Sequence, residues 1–285
     1  MSTQTINPHP PQDPAPRGAG KALNIVLAVI GALALLTMAI GATRSAMSTL
    51  NSSHVIQQAD AHGVSTLDVQ ANTGSFELKF ADVSEASLEV RSTAGEQWSL
   101  EREGSTLTIR PPAGWNNFCF FGCSATDNEI TLTLPEELNN GTVDAKFELG
   151  AGMFQADGNF KTLGLDVSAG ELEVVGSADT VDAKLGAGRA NLVLDDVDAA
   201  TLDVSAGRMD AQFQGQAPRS VDARVSAGVM ELILPDTSYN VSTDSSAGSI
   251  ENKLNTSASS EFKVSVDVSA GSAVLRPGSE ASNGK

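Results

Sequence analysis

One dipeptide limits what this chain can fold into: Ala-Gly returns at Ala151, Ala169, Ala187, Ala206, Ala227, Ala247 and Ala270, usually after Ser. The glycines concerned, Gly152, Gly170, Gly188, Gly207, Gly228, Gly248 and Gly271, lie 18, 18, 19, 21, 20 and 23 residues apart. A near-fixed period of this length marks one supersecondary unit stacked on copies of itself.

Apolar residues fall two apart on both sides of each glycine, which is the period of extended chain. Around Gly170, Leu163, Leu165, Val167 and Ala169 alternate with Gly164, Asp166 and Ser168; Leu172 and Val174 alternate with Glu171 and Glu173 after the turn. The same register gives Ala145, Phe147, Leu149 and Ala151, then Val181, Ala183, Leu185 and Ala187, then Leu202, Val204 and Ala206, then Val221, Ala223, Val225 and Ala227. In this reading the Ala before each turn faces inward and lets the backbone corner approach the interior. The Gly supplies the positive φ of a bend without a Cβ clash.

A single unit has too few apolar residues to bury a face, whereas a stack joins the faces into one core. The expected fold is all-β, a β-solenoid, with a β-sandwich of hairpins as the alternative, since Ser-Ala-Gly could also close antiparallel turns. Leu67, Val69, Ala71 and Thr73 before Gly74, and Phe76, Leu78 and Phe80 after it, extend the template upstream. At Gly95 the pattern slips, because Trp98 and Leu100 fall one residue out of phase. A bulge or altered coil is expected there. The unit around Gly248 places Thr243, Ser245 and Asn252 at inward positions, so it is the weak coil of the series.

Residues 22–43 form an uncharged apolar run, long enough as a helix to span a hydrocarbon core of about 30 Å. It reads as an uncleaved single-pass anchor rather than a secretory signal, whose apolar region is shorter. Arg17 and Lys21 precede it and only Arg44 follows closely, which predicts a cytosolic N-terminus and an extracytoplasmic repeat domain. The expected organisation is a disordered proline-rich tail over 1–21, the anchor over 22–43, a polar stalk over 44–63, the repeat domain over 64–276 and a flexible tail over 277–285. In an oxidising compartment Cys119 and Cys123, the two cysteines of the chain, are expected to pair as a disulfide.

The net charge is −17, and the first 44 residues contribute three positive charges and one negative, so the remainder carries −19. Nucleic acid and anionic lipid surfaces are disfavoured as direct partners. Asp195, Asp196 and Asp198 are the densest carboxylate group and read as a solvated turn, with no metal site or cofactor expected. The three histidines, His9, His54 and His62, all lie outside the repeat body, which therefore cannot itself supply a Ser-His-Asp or Cys-His arrangement. Paired carboxylates of a cell-wall carbohydrate-active enzyme remain an alternative. Self-assembly through an exposed terminal coil is another.

The period breaks between Gly95 and Gly152. Within that break an insertion near 111–127 gathers Trp115, Phe118, Phe120 and Phe121 around the two cysteines, in a chain that is only 5% aromatic. These four residues are the candidate partner-binding site, for an envelope protein or a cell-wall component; the competing reading is that they cap the open end of the stack.

The Leu-Asp-Val-Ser-Ala-Gly run at 165–170, its returns at 202–207 and 266–271, and the Leu-Thr-Leu-Pro step at 132–135 resemble a bacterial family of adhesin-like β-strand-repeat domains, the domain of unknown function 4097. The resemblance covers roughly residues 64–276. It implies a noncatalytic, membrane-anchored envelope protein of adhesin-like or envelope-stress type, and brings no catalytic residue to this chain.

Overall fold

Alternation of buried and exposed residues runs through nearly every strand of the computed structural model, which describes residues 53–92, 98–111 and 128–281. The elements are β1 (Ser53–Asp60), β2 (Thr66–Ala71), β3 (Ser75–Ala81), β4 (Glu85–Ser92), β5 (Ser99–Glu103), β6 (Thr106–Arg110), β7 (Glu129–Pro135), a short 3-10 turn (Glu136–Leu138) and β8 (Asp144–Asp195). They continue with β9 (Ala199–Gln214), β10 (Ser220–Leu234), β11 (Ser238–Asn252), β12 (Asn255–Thr256), β13 (Lys263–Pro277) and a four-residue helix, α1 (Gly278–Ala281). The domain is almost all-β, a repeat architecture of strands packed in series.

The long strands pair parallel and in register on their Ala-Gly corners. Ala227 and Gly228 of β10 face Ala206 and Gly207 of β9 on one side and Ala270 and Gly271 of β13 on the other. Hydrogen bonding continues around the corner itself: Ala151 N–H donates to Asn72 O at 2.8 Å and Met153 N–H to Gly74 O at 2.9 Å. Inside, leucine, valine, alanine and phenylalanine form one continuous apolar cluster. Phe76 stacks on Phe154 at 5.4 Å and Phe147 meets Phe154 at 4.6 Å. Only Ser92 and Asn128 are fully buried polar residues among those described.

The corner differs from expectation in one respect. Ala169, Ala187, Ala206 and Ala227 are exposed, not inward, and Ala151 is half-exposed. The inward series ends at Val167, Leu185, Val204 and Val225 and resumes at Leu172, Ala190, Met209 and Met230, so Ser-Ala-Gly is a tight outer bend. Positive φ explains the glycine at 74, 152, 170, 188, 207 and 271, but not at 228 and 248. Close approach is common to all of them. A Cβ on Gly170 would stand 2.2 Å from Gly152 O, one on Gly188 2.0 Å from Gly170 O, and one on Gly228 2.6 Å from Gly207 O. Apart from Gly74, whose Cβ would meet Asn128 O at 2.6 Å, each lies directly against the glycine of the neighbouring rung, and an L side chain has no room there.

Sequence order and stacking order part company at both ends. β2 and β3 lie between the rung made by β6 and β7 and the first rung of β8. Beyond β6 and β7 the direction reverses, with β4 antiparallel to β7, β5 antiparallel to β6 and β1 antiparallel to β4. The phase slip at Trp98 and Leu100 thus marks a reversed strand rather than a distorted coil, and both residues are buried. At the other end the order is β10, β13, β11: the last coil of the chain is inserted one place earlier in the stack. Burial sorts these coils. β13 turns Val264, Val266, Val268, Ala273 and Leu275 inward, all buried, whereas Thr243, Ser245 and Asn252 of β11 are exposed at the end of the stack. Enclosing the polar coil between two others would strip its hydroxyls and amide of water.

Two descriptors do not stand. The proposed transmembrane helix over 22–43 lies outside the described residues, and among those described no helix is long and apolar enough to cross a membrane. Cys119 and Cys123 also lie outside them, and no disulfide is found in the described residues. Ser53–Asp60, expected as stalk, is strand β1.

Candidate functional site

The aromatic insertion turns out to be an elaborated corner. Val69 of β2 faces Ile109 of β6, and Ser75 of β3 faces Glu129 of β7. The inner rung uses five residues between those positions, Gln70 to Gly74; the outer rung uses nineteen, Arg110 to Asn128. Trp115, Phe118, Phe120 and Phe121 fall in this segment and, like both cysteines, lie outside the described residues.

Both roots of the insertion are held firmly. Arg110, where it leaves, makes a two-pronged ion pair with Asp68, Nη1 to Oδ1 at 3.0 Å and Nη2 to Oδ2 at 2.6 Å. The hydrogen bonds from Arg110 hold the Asp68 carboxyl below its ordinary pKa, against the opposing effect of partial burial. Asn128, where the chain returns, is buried, and its carbonyl accepts from Ser75 N–H at 2.8 Å. Glu129 receives Arg91 at 3.2 Å. Among the described residues, β4 on β7 and β5 on β6 cover this end of the stack. Gln57 of β1 fastens this cover: its amide donates to Trp98 O and accepts from Leu100 N–H at 3.0 Å.

Elsewhere the outer surface is a set of side-chain columns running along the stack. The hollows between them are shallow and open. One of about 420 Å³ is lined by Asp144, Lys146, Gly164, Asp166, Asp182 and Lys184. Another of about 470 Å³ lies among Glu171, Glu173, Arg189, Asn191, Arg208 and Asp210. Part of the charge here is paired: Arg208 contacts Asp210 at 2.7 Å and Glu231 at 3.1 Å, Arg276 contacts Glu231 at 3.3 Å, and Lys184 contacts Asp182 at 3.4 Å. The Arg208–Glu231–Arg276 chain spans three rungs and was not singled out from the sequence; the signal was that these residues lie one, three and five positions after Gly207, Gly228 and Gly271, odd offsets that put them on the same face of their strands.

The Asp195–Asp198 group is a turn. Asp196 has φ 56°, its Oδ1 accepts from Gln216 N–H at 3.1 Å, and Asp198 binds Arg219 at 2.6 Å. His54 lies against Glu89 at 2.9 Å on the surface, and His62 is exposed. Among the described residues no three His, Cys, Asp or Glu side chains gather as a metal site.

No family model and no curated protein matches the chain. Among solved structures it is similar to a "putative cell adhesion protein" from Clostridium sporogenes, at 12% identity over 79% of this chain and 99% of that one, with a TM-score of 0.40. It is similar to a "putative adhesin" from Bacteroides fragilis at 12% identity over 79% and 97%, TM-score 0.45. A "putative adhesin" from Parabacteroides merdae follows at 10% identity over 79% and 96%, TM-score 0.39. At this level of likeness no residue's role passes from those proteins to this one.

Proposed function

We propose that this chain is a noncatalytic, adhesin-like module of the bacterial envelope, a β-solenoid that displays a recognition loop on a rigid, acidic body. The observation that carries the reading is the position of the insertion. The connection from β6 to β7 takes nineteen residues where the paired connection from β2 to β3 takes five, and function concentrates in such interruptions. The solenoid reading is supported by the parallel ladders in register from β8 through β9, β10 and β13 to β11.

The sugar-cleaving alternative needs a carboxyl whose pKa is raised so that it can act as an acid near neutral pH. Every described carboxyl with a displaced pKa, Asp60, Asp68 and Glu89, is displaced downward by hydrogen bonds from neighbouring groups. The hollows offer ion-paired columns, not a concave cleft with converging acids.

Isolated cell-wall sacculi and envelope membranes from a bacterium serve as probes. The Trp115→Ser, Phe120→Ser, Phe121→Ser triple variant is expected to keep the circular dichroism and thermal transition of the parent while losing sedimentation with the probe. A folded triple variant that co-sediments as the parent does would remove the insertion as the recognition element.

A further inference from the structure

Strand β13 is the last strand among the described residues, yet it occupies an interior place in the stack. Fourteen of its residues pair in register with β10 on one side and twelve with β11 on the other. Among the described residues only the four-residue helix α1 follows it. Nothing later in the described chain locks it in place. In chain order β11 precedes β13, so a chain assembled in sequence would fill the position next to β10 last. That position is the acceptor: Val221, Ala223, Val225, Met230, Leu232 and Leu234 of β10 present an apolar row that β13 completes.

We propose that this acceptor also takes β13 from a second copy of the chain, giving a dimer in which the two C-terminal coils are exchanged. Every contact that β13 makes in its own chain is reproduced in the partner, so the two forms differ only in the connector and in the entropy of association. Charge favours the transfer. β13 carries Lys263, Asp267 and Arg276, a net +1, while β10 carries −1 and β11 carries −2. Asp267 faces Arg224 in register and Arg276 contacts Glu231 at 3.3 Å. A slightly basic coil entering an acidic body meets less of the repulsion that otherwise separates two copies of a chain with net charge −17.

The connector decides between the two forms. After β11 the chain rises to place Asn255 and Thr256 beside Ser238 and Tyr239, then must descend past β11 to reach Lys263 on its far side. That descent covers two strand spacings, about 10 Å, and is made by Ser257 to Phe262. Removing Ala258, Ser259 and Ser260 leaves Ser257, Glu261 and Phe262, four Cα steps from Thr256 to Lys263 that reach about 14 Å at full extension. Little slack remains for a path that must also clear β11. Exchange relieves the strain, because the connector can then run straight to the neighbour.

The test uses full-length chains with Cys119 and Cys123 replaced by Ser. One tagged copy carries Asp222→Cys and a differently tagged copy carries Ser265→Cys, positions that face each other across the β10–β13 ladder. Co-expression followed by mild oxidation is expected to give a disulfide joining the two tags. A single chain carrying both substitutions serves as control. Crosslinking of that control entirely within one chain, with no product between the two tagged copies, overturns the proposal. An independent readout is light scattering of the Ala258–Ser260 deletion: a rise of about tenfold in the dimer fraction is expected, and a folded, strictly monomeric deletion variant overturns it.

Discussion

Replacing Gly188 by Ala tests the physical basis of the stack at a single atom. The new Cβ would lie 2.0 Å from Gly170 O and 2.9 Å from both Gly170 C and N, all of them backbone atoms that cannot swing aside. Gly188 also has φ 110°, a region that costs an L residue about 1–3 kcal/mol. Forcing the two rungs apart adds an overpacking penalty of about 1–3 kcal/mol. The sum is about 2–6 kcal/mol, a large share of the stability of a typical domain. Gly164→Ala is the control, since its Cβ would meet nothing closer than 3.6 Å, the Lys146 Cγ, and its φ is not positive. That change should fall within about 0.5 kcal/mol of the parent. Urea unfolding of both variants, with amide exchange at residues 168–172 and 186–190, measures the difference. If Gly188→Ala unfolds within 1 kcal/mol of the parent, contact between successive glycines does not limit the spacing, and the account of the corner is wrong.

Three further outcomes follow from the same geometry. Leu192→Ala, at a fully buried position beside Ala211, should cost about 2–5 kcal/mol in urea unfolding, whereas Thr243→Ala on the terminal coil should cost less than about 1. The Arg110–Asp68 pair, about one-third exposed at each end, should contribute about 1 kcal/mol. Because the folded Asp68 pKa is lowered, the gap between parent and Asp68→Asn should be full above about pH 5 and close as pH falls through the folded value; a gap that persists unchanged at the acid end would refute the assignment. Thr243→Val with Ser245→Val should leave the fold intact but raise end-to-end association, seen as concentration-dependent growth in light scattering.

The alternation and the period were legible because both are local. Leu163, Leu165 and Val167 announce a strand in three residues, and seven glycines announce where strands turn. Two features of the same motif were hidden. The outward Ala could not be read, since Ala suits either side of a bend, and the need for Gly at 228 and 248 comes from the adjacent rung, not from local φ. Stacking order was hidden for a related reason: any Ala-Gly corner fits any other, so seven equivalent corners do not encode which neighbours which. The sole hint was polarity, Thr243, Ser245 and Asn252 against Val266, Val268 and Leu275. At the insertion, composition marked the aromatic segment as unusual, but its place at a corner appears only when Val69 is seen to face Ile109 and Ser75 to face Glu129.

The two ends of the stack solve one problem by different chemistry. Parallel rungs in register are a template for further rungs, from the same chain or another. At one end the template is broken by direction: β4 and β5 run antiparallel to the rung beneath, and Gln57 ties β1 across them. At the other it is broken by polarity, with β11 turning Thr243 and Ser245 where an added coil would need apolar partners. Both devices disfavour growth along the stack axis. The side of the stack is left open, and part of its charge is paired from rung to rung, as in Arg208–Glu231–Arg276. The recognition proposed for the connection between β6 and β7, which belongs to neither end of the stack, is consistent with both devices.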